Sequence, residues 1–351
     1  MIKISQPIVL VGVLALIAVL VLVLQPQNAS PSNPSNATAA TLAQPKEGFT
    51  PAPDLAQIHG YINAPQGFRL ADVKGQVILV DFWTYSCINC IRTLPYLKDW
   101  HEKYKDKGLT IVGVHTPEFE FEKNLVNVQT QVLRHNISYP VVLDNDYATW
   151  RAYQNHYWPH KYLIDAQGYI RYDHIGEGGY EETENQIRKL LMERDEKTSL
   201  EEQSNASQPA PEFRQIGTPE IYFGYKFIRQ PFGNLPELKT DEPIDFSLQT
   251  SQGFTPNLAY LSGTWIIRSD YAELLSESGQ VALTFQAKDA NIVAGSPQPQ
   301  PVTVLVSGKQ PQTIAVHDHT LYSVVSSQDY QPKTLILTAS KGFQLYTFTF
   351  G

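Results

Sequence analysis

The sequence predicts an α/β domain followed by an all-β sandwich of jelly-roll type, both carried behind an amino-terminal transmembrane helix. Three observations predict this. Residues 8–24 are one uncharged apolar run; strand and helix patterns alternate from residue 55 to Arg194; and from residue 215 to Gly351 short strands are parted by Gly, Pro, Ser, Asn and Asp turns. At 351 residues, and roughly 100–200 residues per domain, the chain has room for two such domains.

The elements follow in chain order. Ile8–Leu24 spans about 17 residues, so as a helix rising ~1.5 Å per residue it reaches ~25 Å, close to the thickness of a hydrocarbon core. Gln25-Pro-Gln-Asn comes next, and the nearest small-x-small tripeptide, Ala37-Thr-Ala39, lies well downstream. This favours an uncleaved membrane anchor over a signal whose removal leaves a secreted protein. Lys3 is the single charge before the run, and by the positive-inside rule it places residues 25–351 outside the cytoplasm, in a periplasm, cell envelope or equivalent lumen. Residues 25–54, rich in Pro, Ser, Asn, Ala and Thr, have the composition of a flexible linker.

Residues 55–194 form the α/β domain. Val77–Trp83 is the β-branched and aromatic run of a buried strand, and Ile91, Leu94, Leu97 and Trp100 follow at helical spacing, so a strand feeds directly into a helix. Further strands are expected at 109–114, 139–143, 162–164 and 170–174, the last two around the turn Asp165-Ala-Gln-Gly168, with helices near 121–135, 147–153 and 181–194. Residues 195–214, polar and proline-bearing, are a second linker. In residues 215–351 strands are expected at 245–249, 257–261, 264–268, 281–287, 302–306, 313–316, 321–325, 334–338 and 343–350.

Composition narrows the function. With 27 basic and 35 acidic side chains the net charge is −8, and no Lys/Arg block offers a nucleic-acid footprint. Only two cysteines, Cys87 and Cys90, exclude a disulfide-stapled scaffold and a Cys₄ zinc site. Cys87 stands where the buried strand ends and the helix begins, beside unpaired backbone N–H groups and the positive helix end, a setting that favours thiolate over thiol. That makes Cys87 the nucleophile. Cys90, one turn further in, is shielded yet within reach of a mixed disulfide on Cys87, and is the resolving thiol. A lone Cys-x-x-Cys is also readable as half a zinc site or as a structural bridge. No second pair exists, and His101, His115, His156 and His160 are scattered, which favours redox chemistry with no metal and no cofactor beyond the Cys87–Cys90 disulfide itself.

Trp83-Thr-Tyr-Ser-Cys87-Ile-Asn-Cys90-Ile-Arg-Thr-Leu-Pro95, with Phe82 ahead of it and Trp158-Pro159 ahead of the strand Tyr162-Leu-Ile, resembles the thioredoxin superfamily. The helix and strand near 121–143 look like the insertion of its exported TlpA/ResA-like branch. The resemblance implies a thioredoxin-like fold, a cis-proline at Pro159 whose loop faces the cysteines, and a buried acid at Asp81 that relays a proton to or from Cys90. Asp81 is also readable as a hydrogen-bonded structural acid, and Trp83, which aligns with a family tryptophan near the site, as core packing. Trp83, Ile88, Asn89, Trp158 and Pro159 are expected to meet the substrate. Ile88-Asn89 in place of Gly-Pro, and the bulky Trp158, depart from cytoplasmic thioredoxins where potential and partner choice are set.

A closer resemblance is to the exported carboxy-terminal region of DipZ-type proteins. It rests on the cysteine segment, Gly113-Val-His-Thr-Pro-Glu-Phe119, Trp158-Pro159, Asp165, Thr218-Pro-Glu-Ile-Tyr-Phe-Gly224 and Tyr346-Thr-Phe-Thr-Phe-Gly351, and covers about residues 55–351. It implies a carbohydrate-binding-module-like second domain. In that family a multi-span CcdA-like electron conduit is fused ahead of this region; a single anchor stands in its place here, so reduction of the pair calls for a separate CcdA-like membrane donor.

Two further groups have a bland and a sharp reading. His317-Asp-His319 is a metal pair or, more simply, an exposed polar strand edge. Trp265, Tyr271 and Tyr322 are a sugar-stacking platform for a glycan or envelope ligand, or sandwich core. The expected function is a membrane-tethered extracytoplasmic thiol–disulfide oxidoreductase that exchanges with protein thiols and disulfides, in the reducing direction. The alternatives are a thiol peroxidase, since Thr84-x-x-Cys87 echoes peroxiredoxins although Val80 replaces their proline, and an envelope scaffold acting through the β domain.

Overall fold

The computed structural model describes residues 40–200, 203, 212–248 and 253–351. The apolar run 8–24, expected as a transmembrane helix, lies outside the described residues, as do the linker up to residue 39 and most of the second linker. Among the described residues no helix is long and apolar enough to cross a membrane.

The first domain runs β1 (Thr50–Pro51), β2 (Gly60–Ile62), β3 (Val77–Trp83), α1 (Ile88–Tyr104), β4 (Leu109–His115), α2 (Leu125–Arg134), β5 (Val141–Leu143), α3 (Ala148–Ala152), β6 (His160–Ile164), β7 (Tyr169–Ile175) and α4 (Tyr180–Arg194). These seven strands make one sheet in the order β1-β7-β6-β3-β4-β5-β2. β3, β4 and β5 are parallel, as strands joined by helical crossovers must be, and the outer strands add antiparallel. β3 reads as a continuous apolar run because both its faces are covered. Val77, Leu79 and Trp83 face α1, α2 and α4, while Ile78, Val80 and Phe82 face a second layer with Leu70, Trp150 and Tyr153.

Residues 40–54, expected as the end of a flexible linker, are instead folded onto this sheet. Leu42 and Ala52 are buried in the second layer, β1 pairs with β7, and buried Asp54 accepts hydrogen bonds from the backbone N–H groups of Leu55 and Leu70. Two apolar side chains and one carboxylate hold a segment whose other residues are mostly exposed, so its composition looks like a tether.

The second domain contains β8 (Ile221–Tyr222), β9 (Pro243–Phe246), β10 (Ala259–Ile267), β11 (Ala272–Leu274), β12 (Ser278–Gln286), β13 (Asp289–Gly295), β14 (Gln300–Val306), β15 (Gln312–Val316), β16 (Thr320–Ser326), β17 (Pro332–Ser340) and β18 (Gln344–Phe350). It is all-β and antiparallel as expected, but nearly barrel-like instead of a sandwich of two separate sheets. The strands form one path, β15-β14-β17-β12-β10-β11-β18-β13-β16, with β8 on β18 and β9 on β10. The two ends of that path, β15 and β16, are consecutive in the chain, and the Gln312 side chain donates to the Val324 carbonyl across the remaining gap at 2.6 Å.

β10, expected as two strands, is one strand with a corner. Its first half pairs with β12 and its second with β9 and β11, and the change of partner falls at Gly263 (φ +96°). A Cβ there would stand 2.6 Å from Ser276 Oγ. Gly263→Val is therefore expected to lose ~1–3 kcal/mol of stability by urea unfolding, from left-handed strain alone; a midpoint equal to wild type would show the corner tolerates a side chain.

Candidate active site

Cys87 is the residue that opens α1. Its N–H donates to the Thr84 carbonyl at 3.3 Å, closing a tight turn, and its own carbonyl accepts from Ile91 N–H at 3.0 Å, the first bond of the helix. The side chain is half-buried, Cys90 is 1% exposed, and the two thiols are unbridged. The Trp158–Pro159 bond is cis, and the Cys87 thiol points at the Trp158 carbonyl, 4.0 Å away.

The residues expected to meet a substrate divide in two. Ile88 and Asn89, in the first turn of α1, and Trp158 are partly exposed. Trp158 is held by its indole N–H, which donates to the Thr116 carbonyl at 3.0 Å, and by the Trp150 ring 4.3 Å away. Pro159 is buried, its carbonyl taken by Gly176 N–H at 2.8 Å. Trp83 must be reassigned: it is 0% exposed, edge-on to the His115 ring at 5.4 Å, and packs the core beneath the site because the last residue of β3 shares the inward parity of Val77 and Leu79.

Asp81 has the same parity and so points under α1. It is 1% exposed, its Oδ1 has no hydrogen-bond partner, and its register neighbours are Gly113 on β4 and Lys161 on β6. Burial pushes its carboxyl up to about 7, with the Lys161 ammonium opposing. Lys161 is itself 0% exposed and donates to the Gly176 carbonyl at 3.0 Å. Its pKa is lowered by burial, against the pull of Asp81, Cys90 and Glu177. Burial, then the neighbouring Cys87 thiol, push the Cys90 thiol up, and Asp81 adds to this. The Tyr139 hydroxyl and the Trp83 indole N–H are also buried without partners. Gly113 makes room for both: a Cβ on it would stand 2.9 Å from Trp83 Nε1 and 3.3 Å from the Tyr139 ring. The result is a polar cluster of Asp81, Lys161, Tyr139 and Cys90 sealed beneath a partly exposed Cys87. Sequence reasoning found the acid and missed Lys161 and Tyr139: Lys161 follows His160 and lies just ahead of the expected strand 162–164, so no apolar context on both sides marks it as Asp81 is marked in β3.

The loop before Cys87 is fixed from another side. Thr84 and Ser86 are buried, and both hydroxyls donate to Glu122 Oε1, at 2.5 and 2.6 Å. His115 is fully buried at the end of β4 and stacked under Tyr85 at 5.5 Å; burial pushes its imidazole down to about 3, so it stays neutral.

The segment Glu118–Lys123 meets the β domain. Phe119 is buried with Tyr222, Val293 and Tyr346, the Tyr222 hydroxyl donates to Glu118 at 2.8 Å, and Glu120 N–H donates to Asp270 at 2.9 Å. His319 belongs to this contact, hydrogen-bonded to the Tyr346 hydroxyl at 2.9 Å and packed on Phe121, while His317 is exposed; the two do not share one polar strand edge. Among the described residues no group of three His, Cys, Asp or Glu could hold a metal ion. Trp265, offered as a sugar platform, is wholly buried in the β core with its N–H on the Ser262 carbonyl, and Tyr271 lies against Tyr346 at 5.1 Å.

Residues 50–173 match the model of the AhpC/TSA family, and residues 218–351 that of a thioredoxin-like C-terminal domain. Over 330 residues, 93% of this chain, the sequence is 38% identical to Protein DipZ of Mycobacterium bovis and, equally, of Mycobacterium tuberculosis. The matched stretch is 46% of DipZ, so the chain spans less than half the length of these curated relatives. The thiol-disulfide oxidoreductase YkuV of Bacillus subtilis is 28% identical over 41% of this chain and 95% of its own. The thiol-disulfide oxidoreductase ResA of Bacillus cereus is 29% identical over 35% of this chain and 68% of its own. The chain thus carries a thioredoxin-like AhpC/TSA domain and a thioredoxin-like C-terminal domain, and its likeness to DipZ runs through both.

Proposed function

We propose that this protein is a membrane-tethered, extracytoplasmic thiol–disulfide oxidoreductase that reduces disulfides in partner proteins through Cys87 and Cys90. The observation that carries the reading is the juxtaposition of a half-buried thiol at the start of α1, the Trp158 carbonyl that this thiol faces beside a cis-proline, and a sealed second thiol above a carboxyl with one unpartnered oxygen. The tether is the apolar run 8–24.

In the first step Cys87 as thiolate attacks one sulfur of the partner disulfide, that S–S bond breaks, and one partner thiolate leaves. Burial keeps Cys90 neutral at this stage. Asp81, whose carboxyl exchanges its proton near neutrality, then takes the Cys90 proton, and the Cys90 thiolate attacks the Cys87 sulfur. The second partner sulfur leaves and is protonated, two electrons have passed to the partner, and the Cys87–Cys90 disulfide remains. A CcdA-like membrane donor is the proposed source of the two electrons that restore the dithiol.

Cys90→Ser is expected to hold partner proteins as mixed disulfides and Cys87→Ser to hold none. Failure of the wild-type protein to reduce any protein disulfide, together with empty Cys90→Ser traps, would defeat the reading. Titration against thiol buffers decides direction: a potential near ~−270 mV is expected of a reductant, whereas one near ~−120 mV would make the protein an oxidant.

A further inference from the structure

Glu122 takes no part in the exchange just described, yet it is 0% exposed and fully hydrogen-bonded from two directions. Its Oε1 accepts from the hydroxyls of Thr84 and Ser86, and its Oε2 from the backbone N–H groups of Glu118 at 2.6 Å and Phe119 at 2.9 Å. Ser86 is the residue before Cys87. Phe119 carries its ring into the β domain, between Tyr222 and Tyr346. One carboxylate thus joins the loop that presents the nucleophile to the segment on which the β domain sits.

We propose that Glu122 is a positioning residue for the redox site, coupling the docked β domain to the loop that holds Cys87. The inference rests on the thiol-exchange reading. Thr84 and Ser86 straddle Tyr85, whose hydroxyl donates to the His319 carbonyl of the β domain at 3.4 Å, so the loop is gripped on both sides of the same residue. A carboxylate suits this place because all its contacts are donors; a buried acceptor with four donors around it loses most when one donor set is left unsatisfied. The β domain is in this sense a structural part of the site, not an appended module.

The test uses the full chain and two independent readouts, the rate of Cys87 alkylation by iodoacetamide and the equilibrium of the Cys87–Cys90 disulfide with glutathione. Glu122→Gln retains shape and can keep its oxygen on the two backbone N–H groups, turning its amide to the hydroxyls. It is expected to fold, with Cys87 alkylation or the glutathione equilibrium changed by about tenfold, the scale set by small misplacements of a reacting group. Tyr346→Ala, made in the β domain and away from the thiols, is expected to reproduce that change, and the double variant to add nothing to it. Should Glu122→Gln fail to fold, Ser86→Ala and Tyr346→Ala decide by the same readouts. Folded variants with both readouts unchanged would overturn the proposal. Absence of protein-disulfide reduction by the wild type would defeat only the thiol-exchange reading, since alkylation reports loop geometry without a partner.

Discussion

In Asp81→Asn, attack of Cys90 on the mixed disulfide is expected to slow by about 10²–10³-fold at neutral pH, the usual worth of a positioned acid or base. The rise of that step with pH, governed in the wild type by loss of the Asp81 proton near 7, should vanish with it. The first step belongs to Cys87 alone, so in a Cys90→Ser background the same substitution should leave it within a few-fold. Rapid quenching of a preloaded mixed disulfide separates the two; an unaltered pH profile of the second step would remove Asp81 from the chemistry. Stability gives an independent reading of opposite sign. Burial raises the acid from 3.8 to about 7, so the stability its proton contributes is complete below 3.8 and lost as pH climbs through about 7. Above that pH the wild type carries an ionised, buried carboxylate with an unpartnered oxygen. Asp81→Asn should therefore be the more stable protein there, on the order of a few kcal/mol, and nearly level with the wild type in acid.

That this acid was visible in the sequence, while Lys161 and Glu122 were not, has a physical cause. A charged residue stands out when its strand neighbours are all apolar, and β3 is buried along its whole length. Glu122 sits in Phe119-Glu-Phe-Glu122, where alternate acids look like a solvated face, and only the folded chain shows that one of them, Glu120, is exposed and the other wholly buried. The same limit hid β13. Asp289–Gly295 shows no alternation because Ile292 faces the β core while Val293 faces the aromatic cluster around Phe119, so both sides are covered and period-two patterning has nothing to record. Elements packed within one domain, such as β3 with α1, were legible from local periodicity. Those whose burial depends on the other domain were harder to read, as with Tyr271 and His319, whose packing against the Phe119–Phe121 segment no local pattern records.

Phe119→Ala is expected to release the β domain from the first domain while both remain folded. The ring is 1% exposed and lies 5.2 Å from Tyr346, 5.6 Å from Phe227, 5.7 Å from Phe121 and 6.4 Å from Tyr222. Truncating a buried phenylalanine costs ~3–5 kcal/mol, and edge-to-face partners add to area burial. The polar contacts that would remain cannot replace it. Arg134–Asp318 at 3.2 Å is an exposed pair, worth ~0–1 kcal/mol, so Arg134→Ala should leave docking intact. Tyr222 to Glu118 is stronger in geometry, but Glu118 is an acid pushed up to about 8 by burial and by Glu220, and the tyrosine hydroxyl, which favours the ionised carboxylate, offsets that only in part. Calorimetry should then show one transition in the wild type split into two in Phe119→Ala, and small-angle scattering a larger radius of gyration; a single transition with unchanged scattering would place the docking energy elsewhere. Alanine keeps the backbone N–H that Glu122 accepts, so this variant also separates the ring from the hydrogen bond. If the Cys87–Cys90 equilibrium moves when only the ring is lost, the thiols respond to the docked domain itself and not merely to the local turn.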